Sequence, residues 1–245
     1  MRVSDAASGK LITMRHEEKF ICSERQLTLL SSRLSSLLPY DDNQSGDGYR
    51  IRSLYFDTPE RKFFRESVNG VDHRRKYRIR FYNLDASFCR MERKDTEGRL
   101  KQKHSAKIAQ ETVRELLDGG AFCDAENALM REVYLLQESE GLRPSSIVDY
   151  FRTAFTYPTG NIRITFDRNI SCTDRVSEFF DKHALLLPVM PADRHILEVK
   201  YDGILPGFIA RALDTGSLQQ VSFSKYAYAM SLLLGNGRKE EGYEL

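Results

Sequence analysis

The heptapeptide KYRIRFY, residues 76–82, alternates strictly, with Lys76, Arg78 and Arg80 set against Tyr77, Ile79 and Phe81. Successive side chains on a strand point to opposite faces, so this segment reads as a strand with one cationic and one apolar face. The same period recurs in RLKQK at 99–103, where Lys101 and Lys103 share a face. It recurs again in ILEVKYD at 196–202, where Glu198 and Lys200 oppose Leu197 and Val199. One such segment is ordinary in an antiparallel sheet that is wet on one side. Over six or seven segments the bias towards bases is informative, because a merely wetted face carries Ser, Thr, Gln and acids as freely.

Working outward, 11–22 reads as a strand with Arg15, Glu17 and Lys19 on one face. Ser23-Glu24 then opens a helix whose Leu27, Leu30, Leu34, Leu37 and Leu38 recur at helical spacing up to Pro39. DDNQSGDG at 41–48 is a turn, 49–56 alternates as a strand, and Asp57-Thr58-Pro59-Glu60 starts a short helix with Asp57 as a capping residue. Strands are expected over 74–83, 87–95 and 99–107, with Thr96-Glu97-Gly98 as a hairpin connection. Helices follow over 108–117 and 125–138, then strands over 146–157, 161–167 and 195–201, with a weaker one within 175–188. Helices over 206–213 and 224–234 close the pattern. Arg52 and Arg75 read as surface or edge residues. The fold class expected is α+β: an antiparallel β-barrel or tunnel of about eight strands with flanking helices. At 245 residues the chain suits one domain over 1–245, its core about 11–235, with 1–10 and 236–245 as tails.

Composition narrows the function classes. Hydrophobic residues make up 41%, and no stretch approaches the ~20 apolar residues of a membrane span. The first twenty residues carry no apolar run of signal-peptide length. Cys22, Cys89, Cys123 and Cys172 are widely spaced, without C-x-x-C or zinc-ligand spacing, and read as buried thiols of a reducing, cytoplasmic compartment. Net charge is only +2. With the strand cations turned inward, the remaining surface is slightly acidic, which argues against a nucleic-acid partner.

Cations packed on converging strand faces repel one another: at about 4 Å and an effective dielectric near 20, each pair costs ~4 kcal/mol before screening. An anionic ligand among them relieves this. A run of phosphates suits it well, since Arg grips two oxygens at once and Lys acts as a point charge. The interleaved Glu17, Glu92 and Glu198 suit Mn²⁺ or Mg²⁺, which favour carboxylates together with phosphate oxygens. The sequence has no G-x-x-x-x-G-K-[ST], no G-x-G-x-x-G after a strand and no kinase-like H-R-D segment, so side chains rather than a backbone cradle must hold the phosphates.

The series HEEKF, RSLYFDT, KYRIRFYN, MERKDTEGRLKQK, DYFRTAF, NIRITFDRN, ILEVKYDG and FSKY, in order from about Met14 to Tyr228, resembles the VTC-type polyphosphate polymerase domain, a branch of the triphosphate tunnel metalloenzymes. The resemblance implies catalytic roles for Lys19, Arg78, Arg80, Arg152 and Lys200. It implies triphosphate or polyphosphate binding by Arg65, Lys94, Lys103, Tyr150, Arg163, Ser224 and Lys225, and metal binding by Glu198, Glu17 and Glu92. ATP and inorganic polyphosphate are the implied partners, with Mn²⁺ or Mg²⁺ as cofactor. Where hydrolytic relatives carry the first Glu of E-x-E-x-K, this chain has Arg15, which shifts the expectation from hydrolysis towards transfer onto a phosphate acceptor. A metal-dependent triphosphatase and a non-catalytic polyphosphate-binding module are the alternatives.

Overall fold

A computed structural model describes residues 15–98 and 100–235. The expected tails and the 11–14 start of the first strand lie outside them. Among the described residues there are eight long strands, the number expected, and two further strands of only two residues each, together with six α-helices. The chain divides into two compact units.

The first unit comprises 15–48, 152–168 and 192–222. Its strands are β1 (Arg15–Ser23), the end of β6 (Arg143–Tyr157), the start of β7 (Ile162–Thr173), β9 (Arg194–Asp202) and the two-residue β10 (Gln219–Gln220), in the order β10-β1-β9-β7-β6. β1 pairs antiparallel with β9 along its whole length, and β9 with β7. The helix α1 (Glu24–Ser35) begins at a capping box: Ser23 Oγ accepts from the Gln26 amide, and Gln26 Oε1 accepts from the Ser23 amide. Leu27, Leu30 and Leu34 of α1 pack with Phe155, Ile164, Phe166, Leu197 and Val199, and with Ile209 of α5 (Gly207–Leu213), to make this unit's core. Replacing Ser23 with Ala should lower stability by about 1 kcal/mol in urea denaturation, since the first turn of α1 loses its side-chain cap.

The second unit comprises 49–151, 169–191 and the described residues from 223 on. Its strands β2 (Tyr49–Asp57), β3 (His73–Tyr82), β4 (Asp85–Glu97) and β5 (Leu100–Ile108) follow β6 in the order β6-β2-β3-β4-β5, and the two-residue β8 (Leu187–Pro188) pairs with β7. The strand expected within 175–188 is reduced to β8. Tyr77, Ile79 and Phe81 of β3 and Cys89 and Met91 of β4 form one core with α3 (Gln110–Leu117) and α4 (Ala128–Glu140). Their even-numbered neighbours point to the other face. Asp57 caps as expected, but at a distance. Its carboxylate accepts from the amides of Phe63 and Phe64 at 2.9 Å each, at the start of α2 (Lys62–Val68), and from the Tyr226 hydroxyl on α6 (Lys225–Leu233).

Arg52 corrects an expectation. It is 1% exposed rather than at the surface or an edge. Its Nε lies 2.7 Å from Asp149 Oδ2 and its Nη1 donates to the carbonyls of Phe179 and Asp181, so a carboxylate and two carbonyls substitute for water. Arg75 is exposed, as expected. Three of the four free cysteines are buried as expected, whereas Cys123 is exposed; burial pushes the Cys22 thiol up to about 12 and those of Cys89 and Cys172 to about 11.

Candidate functional site

In the first unit the site is a charge checkerboard on two antiparallel strands. Lys19 lies opposite Glu198 and Glu17 opposite Lys200, so each directly facing pair is of opposite sign, the favourable cross-strand arrangement. Lys19 Nζ is 3.2 Å from Glu17 and 3.9 Å from Glu198, and Lys200 Nζ is 3.1 Å from Glu198. Arg152, on β6, places Nη2 3.8 Å from Glu198 and grips Asp167 with two bonds of 2.6 and 2.8 Å. Arg163, in register with Lys200, pairs with Asp41 at 3.0 Å.

Burial lowers the Lys200 ammonium below its ordinary range, against the pull of Glu198 and Glu17. Asp41 is held below the usual carboxylate range: its bonds from Asn43 and the nearby Arg163 and Arg152 outweigh the effect of burial. Asp41 and Asp167 are absent from the sequence-level site, and they reduce the repulsion inferred there. Arg152 and Arg163 each have a carboxylate of their own.

The second unit carries the stronger positive field. On β3, β4 and β5 the paired residues form three rows across one face: Lys76–Lys94–Lys103, Arg78–Glu92–Ser105 and Arg80–Arg90–Lys107. Glu92 is the only carboxylate in these rows. Arg78 reaches it with Nε at 2.8 Å and Nη2 at 2.7 Å, Lys103 at 3.0 Å and Arg80 at 3.9 Å. Burial disfavours the charge on Glu92, but Arg78, Arg80 and Lys103 outweigh it and hold the carboxyl well below the usual range.

Tyr55, which the sequence pattern does not single out, accepts from Arg78 Nη1 at 3.2 Å. Burial raises its phenol, but Arg78 and Arg80 pull it below its ordinary value. Arg80 bonds Ser53 Oγ at 3.3 Å and Tyr150 Oη at 3.2 Å. Lys225 stands 4.8 Å from the centre of the Tyr150 ring, a cation–π contact. Ser224 caps α6 through the Ala227 amide and also accepts from Lys76 Nζ at 2.9 Å.

The sequence-level candidates therefore fall into two groups. Lys19, Glu17, Arg152, Arg163, Glu198 and Lys200 are brought together in the first unit. Arg78, Arg80, Glu92, Lys94, Lys103, Tyr150, Ser224 and Lys225 belong to the second. Arg65 is exposed on α2, lining a pocket with Thr58, Glu66, Asn69 and Glu140. Arg90 and Lys107 were missed although their signal was legible, since Arg90 has the same parity as Glu92 and Lys94, and Lys107 the same as Lys103.

Among the described residues no group of three or more His, Cys, Asp or Glu side chains is gathered to hold a metal. Glu17 and Glu198, both within reach of Lys19, form a two-carboxylate donor set in the first unit. Such a set fits Mg²⁺ or Mn²⁺ completed by phosphate oxygens rather than an all-protein cage.

The model of one protein family, the VTC domain, matches residues 14–234. No curated protein matches the chain. Among solved structures, a candidate adenylate cyclase from Bacillus halodurans is similar with a TM-score of 0.51 at 15% identity, covering 87% of this chain and 94% of that one. A conserved hypothetical protein from Pyrococcus furiosus gives 0.43 at 11% identity, covering 84% and 94%. The likeness to the Bacillus protein is one of fold.

Proposed function

The chain belongs to the VTC domain family and has an α+β fold whose sheet, among the described residues, runs open from β10 to β5 rather than closing into the expected barrel, and on that premise we propose that it is a metal-dependent polyphosphate polymerase of the triphosphate-tunnel type, transferring the γ-phosphate of ATP to a growing inorganic polyphosphate chain. The observation that carries the choice of transfer over hydrolysis is the charge order of β1. Arg15 stands where hydrolytic relatives are expected to carry a glutamate, leaving Glu17 and Glu198 as this unit's two-carboxylate set around Lys19.

A terminal oxygen of the polyphosphate chain attacks the γ-phosphorus in line. A new P–O bond forms, the β–γ bridging P–O bond breaks, and its electron pair leaves with ADP. The acceptor oxygen is already anionic, so little proton transfer is required, and catalysis is positioning plus charge neutralisation. In the first unit Lys19, Lys200, Arg152 and Arg163 bind phosphate oxygens. In the second, Arg78, Arg80, Lys94 and Lys103 do so, with Tyr150 and Lys225 beside them. Glu198 and Glu17 would hold Mn²⁺ or Mg²⁺, which when bound would supply neutralisation of phosphate charge.

Among the described residues no helix is long and apolar enough to cross a membrane. The free cysteines suit the cytoplasmic location that belongs to the same proposal.

The test is incubation of the purified protein with ATP and Mn²⁺, followed by gel electrophoresis. Long phosphate polymers together with ADP are expected. Phosphate released from tripolyphosphate with no polymer from ATP identifies a triphosphatase instead, and tight chain binding without ATP consumption identifies a binding module. Glu198→Gln should lower polymer formation by at least about 10²-fold at saturating metal, as expected for loss of a group acting on transition-state charge.

A further inference from the structure

The third row of the β3–β5 face differs from the middle row beside it. Arg80 faces Arg90 and Arg90 faces Lys107, three cations directly across three strands with no acid among them. Like charges in that relation are destabilising. In the middle row Glu92 compensates Arg78, whereas Arg90 and Lys107 both rest against one aromatic ring. The Arg90 guanidinium lies 4.7 Å, and Lys107 Nζ 5.4 Å, from the centre of the Phe88 ring.

A cation over a ring keeps its charge directed outward while its stem is ordered. Arg90 is half-buried and Lys107 exposed, so both are open to a ligand. Any anion that engages Arg80 and Lys107 together spans two strand spacings, about 10 Å. That reach suits a chain of phosphates rather than one group.

The geometry points to a second anion-binding position, formed by Arg90 and Lys107 on Phe88, that holds phosphates of a polyphosphate chain beyond those gripped by Arg78 and Arg80. It rests on the reading of the chain as a handler of polyphosphate, and it adds a determinant of chain length. Arg78 and Arg80 serve short and long ligands alike, whereas Arg90 and Lys107 discriminate between them.

The test is calorimetric titration of the full chain with tripolyphosphate and with polyphosphate several tens of units long, at several salt concentrations. Wild type is compared with Arg90→Gln, Lys107→Gln and the double variant, each checked by thermal melting. The double variant should bind the long chain about tenfold more weakly, and the slope of log K against log salt should fall by up to about two, one for each phosphate that no longer meets a cation. Its affinity for tripolyphosphate should stay within about twofold of wild type. Long-chain affinity and slope both unchanged, in a protein that binds both ligands, overturn this position and leave the proposed function standing. A wild type that binds neither ligand overturns both. Because Lys107 is exposed, Lys107→Gln alone decides the matter if the Arg90 variants fold poorly, with an expected slope change of about one.

Discussion

Arg80→Ala should reduce γ-phosphate transfer from ATP by about 10²–10³-fold, the loss typical of removing one donor to a transition-state oxygen. Arg80 is only 8% exposed, and its fork is oriented by Ser53 and Tyr150, with Glu92 a further 3.9 Å away. The side chain is thus held in place before any ligand arrives, and pre-organisation of this kind makes a donor effective at the moment of charge transfer. Arg80→Lys keeps the charge but loses the planar fork, so its activity should fall between those of wild type and Arg80→Ala. Steady-state measurement of ADP production at saturating ATP and metal checks this. Turnover of Arg80→Ala within a few-fold of wild type rules out the assignment.

Asp149→Ala carries the largest expected effect on stability, a loss of about 3–5 kcal/mol, because it leaves a buried guanidinium without its counter-charge. Asp149 takes Arg50 on one oxygen and Arg52 on the other, each at 2.7 Å, and Arg52 is almost wholly shielded from solvent. The two carbonyls that Arg52 also touches hold dipoles, not a charge, and cannot replace the carboxylate. Urea denaturation should show a lower midpoint at an unchanged slope. The double variant Arg52→Met/Asp149→Ala should recover much of the loss, since replacing both members of a buried pair by apolar groups is often near neutral. A loss below about 1 kcal/mol in the single variant contradicts the buried pair.

The period-two pattern of KYRIRFY made β3 and its neighbours legible, because the core is apolar and the opposite face is charged, and each strand alternates accordingly. Eight long strands and the Ser23 cap follow from local rules of this sort. What escaped depends on residues distant in sequence. Arg52 has the parity of Leu54 and Phe56, which serve the core, and only the approach of Asp149, 97 residues away, makes its burial tolerable. Asp41 and Asp167 acquire their roles in the same way, from the tertiary neighbours Arg163 and Arg152. The two-residue strands β8 and β10 are too short to imprint a period. Arg90 and Lys107 are a different case, since parity alone places them on the charged face.

Glu92 has a consequence for how a polyanion moves. Arg78 and Lys103 are already satisfied by this carboxylate, so an arriving phosphate exchanges one anion for another. The free energy released is the difference between two similar pairings rather than the whole of one. On the proposed polymerase reading, a long product that must advance one unit per cycle meets a shallow well at this row in place of a deep trap, and a built-in competitor of this kind favours sliding over stalling.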